Sequence, residues 1–513
     1  MRKRDLVVAI LAGCAMLPAA DWLTDGGNPQ RTGWQKDEKI LSKSNVAGMK
    51  ALWKVQLDNH VRELHALFPP LIISALNVGG SNREVAIVSN INDNIYAIDV
   101  AKGDVLWKKH FDSTWTPPAG GRGGGPLCPG GQTATPILAP TGTPGKYTIY
   151  AISWDGRLRQ LNAADGEYVA QPINFVPPNG KPYSLNIVGD TLYTTTAQGC
   201  GGNPNRVYTM DLKDPGHKIG FFGTSGGSWG RSGPAVDENG VAYAPTGDGN
   251  FDPSKNQWAQ ALVAVNKDGS LKDYYAPSNA QWLWKMDLDM QVTPTLFDYK
   301  GRKLLATSSK ECRIFLLDRN SLGGADHRTP LFRTTWMCNE EVNFAAAGVW
   351  GSLATWEDAK GTRWVLSPIW GPAHPDFKVP VTHGPVTHGA IVAWKVEEQG
   401  GKIVMAPAWI SRDMDQAEPP VIANGVVYAY GNGESSVQAT PELGLGANQS
   451  SIRIKNSTHA VLYALDAETG KELWNSGDEI KSFGHFTGLS IANGRVYLGT
   501  FDNILYSFGL SGR

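Results

Sequence analysis

Two well-separated stretches of the chain share one grammar: Asn94-Ile-Tyr-Ala-Ile-Asp99-Val-Ala-Lys-Gly103-Asp-Val-Leu-Trp107 and Val461-Leu-Tyr-Ala-Leu-Asp466-Ala-Glu-Thr-Gly470-Lys-Glu-Leu-Trp474. Both read Asp-x3-Gly-x3-Trp. The alternating apolar run before the Asp predicts a strand, and the Asp-to-Gly segment predicts a hairpin turn ending on a residue suited to positive φ. The Trp closes the returning strand, where a large indole can pack on the next sheet. Weaker copies end other units: Ile149 to Gly156 with Leu161 to Gly166, Val207 to Asp211, Leu262 to Gly269, Ile314 to Asp318, and Ile391 to Lys395. A second phrase, strand-turn-strand, recurs upstream at Pro234 to Tyr243, Pro420 to Tyr428 and Leu489 to Tyr497. It reads as the inner hairpin of the same unit.

Counted from Val85, such units number eight, the last running from Leu489 to Phe508. A spare strand, Ala51 to Leu57, precedes the first and is expected to complete the last, because closing a ring removes exposed sheet edges. The expectation is an all-β, eight-bladed β-propeller of four-stranded antiparallel blades, one domain over 21–513. At roughly sixty residues per blade the repeat exceeds the ~40–45 of a WD-type unit, so the surplus belongs to loops, where function would reside. Composition agrees: 59 glycines, 32 prolines, 18 tryptophans and only 19% charged residues suit short strands joined by turn-rich loops. A net charge of −1 argues against a nucleic-acid partner.

The first 20 residues read as an export signal: Arg2-Lys3-Arg4, an apolar run from Leu6 to Leu17, and Pro18-Ala19-Ala20. The mature chain would begin near Asp21 in the periplasm or outside the cell. Leu11-Ala12-Gly13-Cys14 also spells a lipobox, which would leave the protein lipid-anchored through Cys14. No other segment is long and apolar enough for a transmembrane helix. Four cysteines remain, Cys128, Cys200, Cys312 and Cys338, which allow three disulfide connectivities or buried thiols.

The chain resembles the quinoprotein alcohol dehydrogenases, eight-bladed propellers that hold pyrroloquinoline quinone (PQQ) and usually Ca²⁺ at the ring's centre. The likeness runs nearly end to end. It includes Asp21-Trp22, Leu41 to Val46, Ala51-Leu52-Trp53 and the blade-end phrases, which are similar to that family's tryptophan-docking motifs.

The resemblance implies a site. In Trp284-Lys-Met-Asp287-Leu-Asp289-Met-Gln-Val-Thr-Pro294, alternation of Met286, Leu288 and Met290 puts Asp287 and Asp289 on one face of a strand, a pair that invites a cation. Asp289 would take the alcohol proton and help bind metal. Two solvated acids fit the same residues. Thr246-Gly247-Asp248-Gly249-Asn250 is similar to the family's Ca²⁺-ligating segment, with Asp248 at the ligand position, and also spells an ordinary turn. Lys310, in Ser308-Ser309-Lys310, matches the basic residue that reaches the quinone, and equally a strand-end charge. Trp229, in Gly227-Ser-Trp229-Gly-Arg231, could lie flat beneath a planar cofactor or pack between blades, with Arg231 available to an anion. Cys128 stands where many members carry two adjacent disulfide-bonded cysteines, and Cys200 from the neighbouring blade is the implied partner.

There are departures. The family's third-blade Glu corresponds here to neutral Gln198, which would weaken Ca²⁺ binding. No Cys-x-x-Cys-His motif is present, so no haem is expected and electrons would need a separate acceptor. Cys338 to Asn343 and the histidines His374, His383 and His388 fit no zinc signature and read as loop residues. No nucleophile elbow, phosphate loop or His-Glu-x-x-His motif occurs. The leading expectation is a PQQ-dependent dehydrogenase acting on a small-molecule alcohol or sugar in the cell envelope. Asp289 would be its general base, with Asp248 and Lys310 activating the quinone through the metal and directly. The competing expectation is a non-catalytic propeller scaffold, toward which Cys14 leans.

Overall fold

The computed structural model describes residues 20–113, 127–338, 347–437 and 450–512. The export segment with Cys14, and Glu340, Glu341 and Asn343, lie outside them. Eight antiparallel sheets, each with a four-stranded core, form a ring: the chain is an eight-bladed β-propeller. In the first seven blades the four core strands run in sequence order from the innermost outward. The innermost strands begin at Leu71, Ile137, Asn186, Ala235, Thr295, Ala354, Val421 and Leu489.

Burial follows from this geometry. A middle strand such as Asn94–Asp99 is buried at every position, because the neighbouring blades cover both faces of its sheet. The outermost strand of the same blade, Asp104–His110, has no residue fully buried. The ring closes as expected: Lys50–Gln56 pairs antiparallel with Ile504–Gly509 and becomes the outer strand of the eighth blade.

The recurrent Asp-x3-Gly turn is a socket for the preceding blade's indole. Trp53 Nε1 donates to the Val100 carbonyl (2.8 Å), Trp107 to Ala163 (3.0 Å) and Trp409 to Ala467 (3.2 Å). Each ring covers the glycine that ends the turn, at φ +80° for Gly103, +73° for Gly166 and +74° for Gly470. A Cβ there would lie 2.4 Å from the Trp409 ring at Gly470, so glycine is required both for φ and for room. In the second blade Asn162 takes the turn-opening place held by Asp99 and Asp466, its carbonyl accepting from Gly166 N at 2.8 Å.

One feature was not expected. Before the closing strand, the segment from Trp22 to Gln35 circles the inside of the ring and bonds in turn to the first strand of every blade. Trp22 pairs with Ile72 in the first, and the Leu23 carbonyl accepts from Leu138 N (2.9 Å) in the second. In the third, Asn186 Nδ2 donates to the Pro29 carbonyl at 2.9 Å. The carbonyls of Pro29, Gln30, Thr32 and Gly33 then accept from Val236, Leu296, Thr355 and Ile422 at 2.7–3.0 Å. Gln35 Nε2 reaches the Ile491 carbonyl at 3.5 Å in the eighth. The segment plugs the channel and satisfies inner-edge polar groups that would otherwise be left without partners. No helix among the described residues is long and apolar enough to cross a membrane.

Candidate functional site

Two kinds of connection share one face of the ring: the turns from second to third strand, and the lead-ins to each first strand. The lead-ins run side by side along the channel wall. Ser184 Oγ donates to the Arg231 carbonyl (2.8 Å), Thr293 Oγ1 to Gly233 (3.2 Å) and Gln291 Nε2 to Val349 (3.2 Å). Most of the residues singled out from the sequence lie on this face.

Asp287 and Asp289 come from the fifth lead-in. They are not on a strand. Ala280–Lys285 is a short helix, and Asp287 at φ +54° reverses the chain after it. Leu288 and Met290 are buried as the alternation required, but Met286, at the helix end, is turned outward. The two carboxylates still converge, because Lys310, from the second-to-third turn of the same blade, bridges them: its Nζ lies 3.0 Å from Asp287 Oδ1 and 2.9 Å from Asp289 Oδ2.

Asp289 is 1% exposed, and both its oxygens are engaged. Oδ1 accepts from the Asp248 backbone amide (2.8 Å) and Gln260 Nε2 (2.7 Å), while Oδ2 faces Lys310. Asp248 sits in a turn of the fourth blade at φ +52°. This close approach depends on Gly247, where a Cβ would fall 2.6 Å from Asp289 Cβ. Asp248 is therefore both a turn residue and a neighbour of the pair: one carboxylate oxygen from each of Asp248, Asp287 and Asp289 lies within 4.8 Å of the others. Three hard oxygen donors in that space could hold a cation.

The electrostatics divide the pair. Burial alone would raise the Asp289 carboxyl, but the Lys310 ammonium and hydrogen bonds with Asp287 and the Asp248 amide outweigh it and hold the group at about 2. For Asp287, burial prevails over Lys310 and, with help from neighbouring Asp289, moves it up to about 7. Burial also opposes the charge on Lys310, yet the two aspartates keep its pKa raised.

Aromatic rings frame the lysine. Its Nζ lies 6.0 Å from the Trp229 ring centre and 5.2 Å from Trp350. Trp350 stacks on Trp370 at 5.1 Å, and Trp370 on Phe486 at 5.9 Å. Trp229 Nε1 is buried without a hydrogen-bond partner among the described residues. Beyond Phe486, His485 Nδ1 meets Glu434 Oε2 at 2.6 Å, Arg453 pairs with the other oxygen, and His65 packs edge-on to His485 at 4.9 Å. His485 and Arg453 outweigh burial and hold Glu434 low. Trp350, Trp370, Phe486, Gln260 and this Glu434 cluster escaped the sequence reading. Their common signal was position, since each lies on or beside a lead-in or a second-to-third turn.

Cys128 and Cys200 form a disulfide joining the second and third blades, with Cα atoms 5.7 Å apart, packed on Trp154. Cys312 pairs with Cys338. Gln198 is buried. Arg231 does not turn to the carboxylates: its Nη1 binds Asp25 of the N-terminal segment at 2.7 Å. The three loop histidines are scattered. His388 pairs with Asp413, His383 reaches the Thr469 carbonyl, and His374 stacks on Trp336.

No protein-family model matches the chain, and no curated protein sequence matches it. Solved structures do. It is similar to the quinohemoprotein alcohol dehydrogenase of Comamonas testosteroni (TM-score 0.61, 14% identity, 96% of this chain and 81% of that one). A quinohemoprotein alcohol dehydrogenase of Pseudomonas putida HK5 matches with a TM-score of 0.60 and 14% identity over 96% of this chain and 81% of that one. A europium-containing methanol dehydrogenase matches at 0.58 and 13%, over 96% and 98%. At such identities the likeness is one of architecture: this chain has the eight-bladed propeller fold of the quinoprotein alcohol dehydrogenases.

Proposed function

We propose that the protein is a PQQ-dependent dehydrogenase that oxidises an alcohol or a sugar, exported to the cell envelope by its N-terminal segment. The observation that carries this is the meeting of Asp248, Asp287, Asp289 and Lys310, from two adjacent blades, beside the Trp229 indole. Repeat structure alone does not require that convergence, and an inert ring gains little from burying it.

The residues suit the group. The donors are all oxygens, as a hard cation prefers, and the Trp229 indole offers a planar surface and an unmatched N–H. PQQ bound there would supply a two-electron oxidant for the substrate's carbinol carbon. Lys310 would place a fixed positive charge against the oxygen that gains electron density, and Asp248, Asp287 and Asp289 would hold Ca²⁺ or a similar cation. Proton removal, expected of Asp289 from the resemblance, fits Asp287 better. Asp289 has both oxygens tied and is buried, whereas the Asp287 side chain is 42% exposed and can reach an incoming hydroxyl. The paired Cys128–Cys200 would wall the cofactor's approach in place of two adjacent cysteines. Electrons would leave to a separate acceptor.

The rival reading, a propeller scaffold without a cofactor, draws on Gln198 in the place of an acidic ligand. One experiment separates them: equilibrium dialysis of the purified protein against PQQ with Ca²⁺ or a lanthanide, followed by dye reduction with a panel of alcohols and sugars. Stoichiometric, cation-dependent PQQ binding is expected. Its absence with every cation rules the dehydrogenase reading out.

A further inference from the structure

Between Arg231 and the N-terminal plug lies a small, partly open cavity of about 10 Å³, room for a single small ion or water, lined by Asp25, Arg31, Arg231, Ser352 and Pro420 among others. Two guanidinium groups thus share one space with one carboxylate. Arg31 is 1% exposed and held at φ +57°, an unfavourable backbone angle that the surrounding ring must enforce. Its hydrogen bonds go only to neutral acceptors: the Thr24 hydroxyl (2.6 Å), the Asp25 carbonyl and the Leu185 carbonyl (2.9 Å). Asp25 gives one oxygen, Oδ2, to both Arg231 and the Ser184 hydroxyl, so its single charge is shared between the two guanidinium groups. The Nε–H of Arg31 and that of Arg231 are both buried with no acceptor among the described residues.

The charges do not balance. Arginine stays protonated in a protein interior, so the cavity wall carries one positive charge in excess. Burial lowers Arg31 to about 10, the Asp25 charge opposing the shift and the nearby Arg231 adding to it. Glu418, the other carboxyl close to Arg231, is fully buried, spends one oxygen on Asn432 Nδ2 (2.9 Å) and is raised by that burial to about 7, so it compensates Arg231 above neutral pH and leaves the excess charge in place below it. Tyr430 beside it is held neutral. An uncompensated buried charge is among the costlier features a fold can carry. Two unmatched N–H donors mark where compensation is missing.

We infer that this axial cavity binds a small monovalent anion, a halide such as chloride, between the Arg31 and Arg231 guanidinium groups. One negative charge balances the wall, and a divalent anion would overshoot. The inference is independent of the quinone reading, since the cavity shares no residue with the carboxylates or Lys310.

Bromide serves as the probe. Crystals of the whole protein grown in sodium bromide should give an anomalous peak in this cavity, in contact with both guanidinium groups. The thermal midpoint should rise with chloride and level off, relative to gluconate at equal ionic strength. Arg31→Met, which removes the excess charge, should abolish the chloride dependence. Should that variant not fold, Ser352→Val, which narrows the cavity and leaves its charges, should abolish both signals. Density without an anomalous signal, bromide only elsewhere, or identical midpoints in chloride and gluconate would overturn the assignment.

Discussion

Asp289 shows how far a single residue can be read before its neighbours are known. Its type, its pairing with Asp287 and the family resemblance singled it out, as the resemblance singled out Asp248 and Lys310, and the three do meet. Their division of labour was not legible, because it depends on Gln260 and on the Asp248 amide, contacts between blades that no local pattern encodes. Arg231 shows the same limit, since its partner Asp25 is 206 residues away in sequence. Glu418 was invisible for another reason: a lone Glu in a loop acquires meaning only when burial raises it, here to about 7 from an ordinary 4.5. Raised in the folded state, it contributes stability that is complete below about pH 4.5 and disappears as pH rises through about 7. Glu418→Gln should therefore flatten the decline of stability between these limits, a difference of about 3 kcal/mol at most. Urea midpoints of both proteins from pH 4 to 8 read it directly, and parallel profiles would refute the assignment.

At the scale of the element, the Asp-x3-Gly-x3-Trp phrase was legible in full, because turn, strand and indole are all set by local chemistry. The stretch from Met286 to Met290 was misread as a strand for a related reason. Alternating burial also arises where a helix end passes into an extended lead-in, and only a left-handed residue such as Asp287 distinguishes the two. The socket role of the turn glycine gives a sharp expectation. Gly470→Ala would force φ +74° on alanine and bring a Cβ to 2.4 Å from the Trp409 ring. It should cost about 2 kcal/mol or more and redshift the tryptophan emission, both read in one denaturation series. A neutral outcome would mean that the indole is not seated there.

For the molecule as a whole, eight blades and a closing strand followed from counting repeats, whereas the plug did not. The segment from Trp22 to Gln35 has no periodicity and bonds mostly through its own backbone, so side-chain patterns carry no trace of it. Trp22 is fully buried, paired with Ile72 and packed on Gly27. Trp22→Ala should cost about 3–5 kcal/mol and lower the calorimetric midpoint, because the buried indole that seats the plug on the first blade is lost. A midpoint unchanged from wild type would show the plug to be loosely held. The plug and the closing strand both belong to the start of the chain, yet their partners extend to Ile491 and Gly509. Contacts of such long sequence separation form slowly and late. During synthesis Trp22 and Leu23 can find the first two blades as these emerge, whereas Gln35 and the closing strand must wait for the last one, so ring closure and the end of channel sealing fall together at the close of folding.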